Sequence, residues 1–315
     1  MLTIDQKNQI AKAAQDYCTA NQLSQQQLAI KTDINAGYLS LILRGQYNTT
    51  VNGKNVEITD KWFVRLADFI GVRLQKTYWE VIPTAEFTAM MSALEDSKEH
   101  AETRIIIIET GNGKTFSIDK FANQNPQFTY TITLNEVYKI GDVIKDLCKH
   151  LNIEETGSAA GKIKRINAKL GEIARAGNKP VIIFDEAEMA SLNLLRMLKS
   201  LYDGVKGLAG ITLVGTPQLL TNLSKACTKD KVGMPQFYRR FKAGIRQIKT
   251  SKANKYASFY AALGIEDTGL QKLLNLLCDN YGELNDYLQP ALRDADRQGL
   301  PLTESFFRIM YNMPK

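Results

Sequence analysis

The sequence predicts an α/β protein: a parallel sheet covered by helices, preceded by a small all-α unit and followed by a helical segment. Three observations carry this. Between residues 104 and 249, short β-branched runs alternate with amphipathic helical stretches. The runs are apolar on both faces, as a sheet covered on both sides requires. The flanking stretches, 1–80 and 251–315, show helical spacing only.

The front unit, 1–80, opens with helical spacing over 6–18. Ser24 is placed to cap a helix over 25–31, and a turn at 32–35 leads into a second over 36–44, ended by Gly45. An amphipathic helix follows at 60–71, with Trp62, Phe63, Leu66, Ala67 and Ile70 as its apolar stripe. Helix, tight turn and second helix have the spacing of a helix-turn-helix. The phrases Leu23-Ser24-Gln25-Gln26-Gln27-Leu28-Ala29 and Tyr38-Leu39-Ser40-Leu41-Ile42-Leu43-Arg44-Gly45 resemble the phage-repressor type. That resemblance implies that Asn35, Tyr38 and Ser40 approach DNA and that Arg44 meets a phosphate. A helical protein-interaction domain would have the same packing. Residues 46–57 are a polar excursion before the last helix, read as a wing. Residues 81–103 read as a connector, with Pro83 blocking a continuous helix and a helical stretch over 85–100.

Strands are expected at 104–108, 128–134, 180–184, 210–214 and 244–248. Helices are expected notably at 143–151, 159–175 and 191–205. Residues 104–250 thus form the α/β core, and 251–315 carry helices at 256–263, 268–279, 284–298 and 303–311.

The chemistry is concentrated where the first core strand ends. Ile108-Glu109-Thr110-Gly111-Asn112-Gly113-Lys114-Thr115 is a strand entering a glycine-bearing loop that opens a helix. Glycines let backbone N–H groups point at phosphate oxygens, and a helix N-terminus adds partial positive charge. Gly111, Asn112, Gly113, Lys114, Thr115 and Phe116 are therefore the candidate nucleotide-binding residues. Lys114 would reach the β- and γ-phosphates, and the Thr115 hydroxyl would bind Mg²⁺. The P-loop pattern has glycine at the position of Ile108, so this loop is a variant.

A second apolar strand ends in Phe184-Asp185-Glu186. Asp185 would hold Mg²⁺ through water, and Glu186 would orient and deprotonate an attacking water. Two acids at a helix start also suit its dipole. The strand at 210–214 ends in Gly215-Thr216-Pro217, placing Thr216 where a polar group senses a γ-phosphate. In Phe237-Tyr238-Arg239-Arg240-Phe241, one arginine reads as a finger reaching a neighbouring subunit's nucleotide, with Arg240 preferred to Arg239. A basic surface turn is the alternative.

The P-loop, the Asp185-Glu186 pair, Thr216 and Arg240 together resemble an AAA+ ATPase, from about Arg104 to the C-terminus. The resemblance implies a centrally placed P-loop strand and a C-terminal helical lid over 251–315. Such lids often carry an arginine in a Gly-x-Leu-Arg phrase, where this chain has Gly282-Glu283-Leu284-Asn285. With the front unit included, the chain is similar to the transposition protein B family of phage Mu. That similarity implies ATP-dependent, sequence-independent binding of double-stranded DNA and assembly of homo-oligomeric filaments or rings. It also implies delivery of target DNA to a DDE transposase and release on hydrolysis. Related filaments track the DNA backbone from channel-facing loops, where Lys139, Lys162, Lys164 and Arg165 are candidates. A solvated helix face is the alternative for each. A helicase loader and an ATP-regulated transcription factor share the same motifs.

Bulk properties agree with a DNA partner. The chain has 315 residues, 44% hydrophobic and 23% charged, with net charge +7 and pI about 9.0. A basic balance of this size suits a polyanion. The stretch 225–255 holds many lysines and arginines against one acid, Asp230. Cys18, Cys148, Cys227 and Cys278 form no CxxC pair, so neither a zinc site nor a disulfide framework is expected. The polar start and the short apolar runs predict a cytoplasmic protein with no membrane span; the resemblance implies a bacterial host and association with the nucleoid when on DNA.

Overall fold

The computed structural model describes residues 2–21, 23–51, 54–72, 78–79, 81–250 and 255–314. Positions 52–53 of the expected wing and 251–254 of the basic stretch lie outside them. The chain divides into two compact units, residues 1–77 and 78–315.

The front unit contains α1 (Ile4–Ala20), α2 (Gln25–Thr32), α3 (Ala36–Leu43) and α4 (Asp60–Ile70). Capping boxes Thr3/Gln6 and Ser24/Gln27 start α1 and α2. Asp33 closes α2 in the left-handed region, and the Asn35 side chain caps α3. Ile10, Leu28, Leu39, Ile42, Phe63 and Leu66 form the core. The polar excursion is an antiparallel hairpin, β1 (Asn48–Val51) with β2 (Lys54–Glu57), so the unit is helical with one small sheet. Lys7 is buried and pairs with Glu57 at 2.7 Å and Asp60 at 3.0 Å, fastening α1 to the hairpin and to α4.

In the second unit, α5 (Ala85–His100) precedes β3 (Thr103–Ile107), α6 (Lys114–Gln124), β4 (Thr129–Thr133), α7 (Ile140–His150) and α8 (Ala159–Arg175). Then come β5 (Val181–Asp185), α9 (Leu192–Val205), β6 (Gly210–Gly215), α10 (Pro217–Thr228), α11 (Met234–Phe241) and β7 (Ile245–Gln247). The five strands are parallel in the order β4-β5-β6-β3-β7. The P-loop strand β3 is flanked on both sides but stands one place off centre, which β6 occupies. Strand alternation sends Ile105, Ile107, Phe184 and Leu213 to a face covered by α7 to α11. Ile106, Val181, Ile183 and Val214 face the other way, against α5 and α6. β4 is an edge strand and only half-buried, so its threonines are tolerated there.

The stretch expected as a connector is part of this core. Met90 and Leu94 of α5 are fully buried on the sheet. Ser97 Oγ accepts from Thr212 of β6 at 2.9 Å. Gly210 has no room for a Cβ because the backbone of Ser97 lies against it.

The C-terminal helices are α12 (Ala257–Ala262), α13 (Thr268–Leu277), α14 (Tyr281–Gln298) and α15 (Glu304–Met310). They enclose their own core of Leu274, Leu284, Leu288 and Phe307, against which Trp79 and Ile82 also pack. Trp79 thus belongs with the lid and not with the front unit. Among the described residues no helix is long and apolar enough to cross a membrane.

Candidate functional site

The loop after β3 carries backbone strain where glycine removes it. Gly111 and Gly113 have φ of +74° and +83°, a region that side chains disfavour. Ile108 needs no such freedom: it is buried, and its N–H continues the strand pairing to Gly215 O at 3.1 Å. The departure at Ile108 therefore extends β3 by one residue and leaves the turn to Glu109–Gly113. Gly113 caps α6, so the next N–H groups have no intrahelical acceptor and face the loop's concavity. Lys114 is buried, and its ammonium makes no hydrogen bond or ion pair among the described residues.

The sheet brings the second half of the site to the first. Thr115 Oγ1 donates to Asp185 Oδ2 at 2.7 Å, across 70 residues of sequence. Asp185 is 3% exposed and its other oxygen accepts from Glu186 N at 2.9 Å. Glu186 sits in the left-handed region, φ 52° and ψ 42°. That conformation is costly for a non-glycine residue, and it turns the carboxylate away from the strand toward the cavity.

Burial pushes the Glu186 carboxyl above the ordinary glutamate range, and the nearby Glu188 and Asp185 carboxylates add to this against Lys114. Glu188 is itself buried, with one oxygen lacking a partner. It lies against Gly215, where a Cβ would fall 2.6 Å from its Oε2. Nothing in the residue pattern had singled out Glu188, although it is two positions past a pair that had been.

A cavity of about 360 Å³ joins these groups to an aromatic wall. Gly111, Asn112, Gly113, Lys114, Thr115, Phe116 and Glu186 line one side, with Trp79, Ile82, Phe87, Phe259, Tyr281 and Asn285 elsewhere around it. Trp79 stacks on Phe259 at 4.9 Å and 25°, and Phe259 meets Tyr281 at 5.2 Å. Tyr281 OH donates to the buried carboxylate of Glu86 on α5 at 3.1 Å, bracing lid to core. The volume and the apolar flank suit a flat heterocycle next to a phosphate cradle. Sequence reasoning missed this wall because its residues are spread from 79 to 285; their only common signal is aromatic character beside helix starts.

The donor set at Thr115 and Asp185 is a hydroxyl and a carboxylate, hard oxygens of the kind Mg²⁺ takes alongside water and phosphate. Their 2.7 Å contact holds both at one point at the cavity's edge.

The remaining candidates divide. Thr216 ends β6 beside β3, half-buried, with no side-chain cap to α10, and it does not line the cavity. Arg240 is committed within its own chain: it pairs with Asp203 at 2.5 Å and donates to Gln236 O at 3.1 Å. Arg239 is exposed and makes no ion pair among the described residues. Of the two arginines, the one preferred from sequence, Arg240, is thus the one held within the chain. Arg165 donates to the carbonyls of Glu154 and Thr156, which makes it a fastener of the loop before α8. Lys139 and Lys164 are exposed and Lys162 is half-buried. In the front unit, Asn35 spends its side-chain oxygen on Gly37 N and Tyr38 N. Tyr38 leans on Trp62, 6.1 Å between centroids, Ser40 is half-buried and Arg44 is exposed.

Residues 91–223, from within α5 to within α10, match the AAA domain family. Fold and site together define the class: the second unit has the fold of an AAA+ P-loop domain followed by a helical lid. Solved structures are similar in fold alone. The ORC2 protein of Aeropyrum pernix, in ADPNP–ADP complexes, superposes with a TM-score of 0.50 and 15% identity over 73% of this chain and 67% of that one. CDC6P from Pyrobaculum aerophilum gives 0.50 and 11%, over 71% and 65%. Within that class, the chain resembles the Mu-like prophage FluMu DNA transposition protein B of Haemophilus influenzae. The two are 22% identical over 262 residues, 81% of this chain and 78% of that protein.

Proposed function

We propose that this chain binds ATP, assembles on double-stranded DNA in the ATP state, presents target DNA to a transposase of the DDE type, and hydrolyses ATP to let the DNA go. The observation that carries the reading is the Thr115–Asp185 contact at 2.7 Å beside an unpaired, buried Lys114. A lysine, a hydroxyl and a carboxylate at the end of a P-loop are the groups that a nucleotide and its metal need, which supports the reading. The likeness to a DNA transposition protein supports the biological role.

In this mechanism the N–H groups around Gly111, Asn112 and Gly113 cradle the phosphates. Lys114 holds the β- and γ-oxygens. Thr115, and Asp185 through water, would hold Mg²⁺, which would supply charge to offset the phosphates. Glu186 receives the proton of the attacking water, and Thr216 senses the γ-phosphate from the adjacent strand. Arg239, which pairs with no acid among the described residues, reaches the site of the next subunit and stabilises the charge that develops there. Lys139, Lys162 and Lys164 meet the DNA backbone, and the α2–α3 pair of the front unit adds Tyr38, Ser40 and Arg44 as a helix-turn-helix.

The test is electron microscopy of the protein with DNA under ATP and under ADP. Ordered filaments or rings with ATP and dispersed particles with ADP are expected. Equal assembly under both nucleotides contradicts the reading.

A further inference from the structure

The cavity's walls differ in chemistry. Lys114, from the P-loop, is the one cation that lines it among the described residues. The lid contributes Phe259, Tyr281, Gly282 and Asn285, none of them charged.

The lid is nonetheless seated on the P-loop. Gly282 N donates to Gly111 O at 2.8 Å. The Asn280 carboxamide lies on Gly111, where any Cβ would collide with it. It is held there by Glu283, which donates its N–H to Asn280 Oδ1 at 2.9 Å and accepts from Asn280 Nδ2 at 2.7 Å. This docking uses backbone, the Asn280 amide and the Glu283 carboxylate behind it, and needs no phosphate.

Asn285 stands one helical turn beyond Gly282, on the same face of α14. Its Oδ1 is buried and has no hydrogen-bond partner among the described residues. A buried acceptor left unpaired is costly, and the residue that carries it lines a cavity sized for a ligand, into which a turn of its side chain brings the amide. An uncharged amide is poorly matched to a γ-phosphate, which guanidinium groups bind through charge-assisted paired bonds. It is well matched to a neutral N–H or O–H donor.

We propose that Asn285 reads the nucleoside half of the nucleotide, accepting a hydrogen bond from the base amino group or a ribose hydroxyl, so that the lid grips ATP and ADP alike. This rests on the nucleotide reading of the cavity. Discrimination between ATP and ADP then falls to the core and to the neighbouring subunit.

The test is calorimetric titration of the full chain and its Asn285→Ala variant with ATP, ADP, purine riboside triphosphate, 2′-deoxy-ATP and 3′-deoxy-ATP. The first analogue lacks the base amino group; the others each lack one ribose hydroxyl. The variant is expected to bind ATP and ADP more weakly by one common factor, roughly three- to tenfold. One analogue is expected to bind the wild type with a similar deficit and to be indifferent to the substitution. Loss for ATP with ADP unchanged would make Asn285 a phosphate sensor and overturn the proposal. So would no loss for either nucleotide, or an equal further loss for all three analogues. A matching thermal melt shows that the variant folds; should it not, Asn285→Ser carries the same comparison. If the wild type binds no adenine nucleotide, the nucleotide reading itself falls, whereas tight binding indifferent to Asn285 sinks this inference alone.

Discussion

At the scale of single residues, the site's electrostatics turn on two carboxylates. Burial first, and Glu188 next, hold the Glu186 carboxyl above its ordinary range. A base must be unprotonated to accept a proton, so hydrolysis should fail on the acid side at a higher pH than an ordinary glutamate would allow. Replacing Glu188 by Gln removes a negative neighbour and lowers the Glu186 pKa, so the acid limb of the ATPase pH profile should move to lower pH. An unmoved limb would take Glu188 out of the account. The P-loop and Asp185-Glu186 were legible from sequence because their spacing is local. Glu188 was not, since its burial depends on Gly215 of another strand. The choice between Arg239 and Arg240 was equally hidden: only the fold puts Asp203 beside Arg240.

At the scale of elements, the strand and helix periods placed every core strand to within a residue or two, because two-sided burial writes itself as continuous apolar runs. The status of α5 was less visible. Pro83 marks a break before it, and its polar residues made it read as a linker, yet Met90 and Leu94 close one face of the sheet. Leu94→Ala should therefore destabilise the second unit by about 2–5 kcal/mol, as large-to-small changes in a packed core do. Denaturant unfolding of the variant measures this; a loss below about 1 kcal/mol would return α5 to the role of a connector. The aromatic wall has the same origin. Trp79, Phe259 and Tyr281 come from different elements, and their stacking follows from how α12 and α14 fold back on the core.

At the scale of the whole molecule, the proposed function makes the site half of a composite. Among the described residues Arg239 pairs with no acid, and the cavity lining holds no cation besides Lys114. If the arginine acts across subunits, mixing Arg239→Ala protein with Lys114→Ala protein should restore part of the ATPase activity that each lacks alone, since a mixed interface has one intact site. Arg240→Ala should instead lose the Asp203 contact and some stability, with no such complementation. Activity of Arg239→Ala equal to wild type would remove the trans role. The most direct test of the central claim is the affinity of wild type and Lys114→Ala for double-stranded DNA, measured by fluorescence anisotropy with ATP and with ADP at fixed salt. The account predicts tight binding for the wild type with ATP only, and weak binding, insensitive to nucleotide, for the variant. Equal DNA affinity for wild type with ATP, wild type with ADP and Lys114→Ala would contradict it.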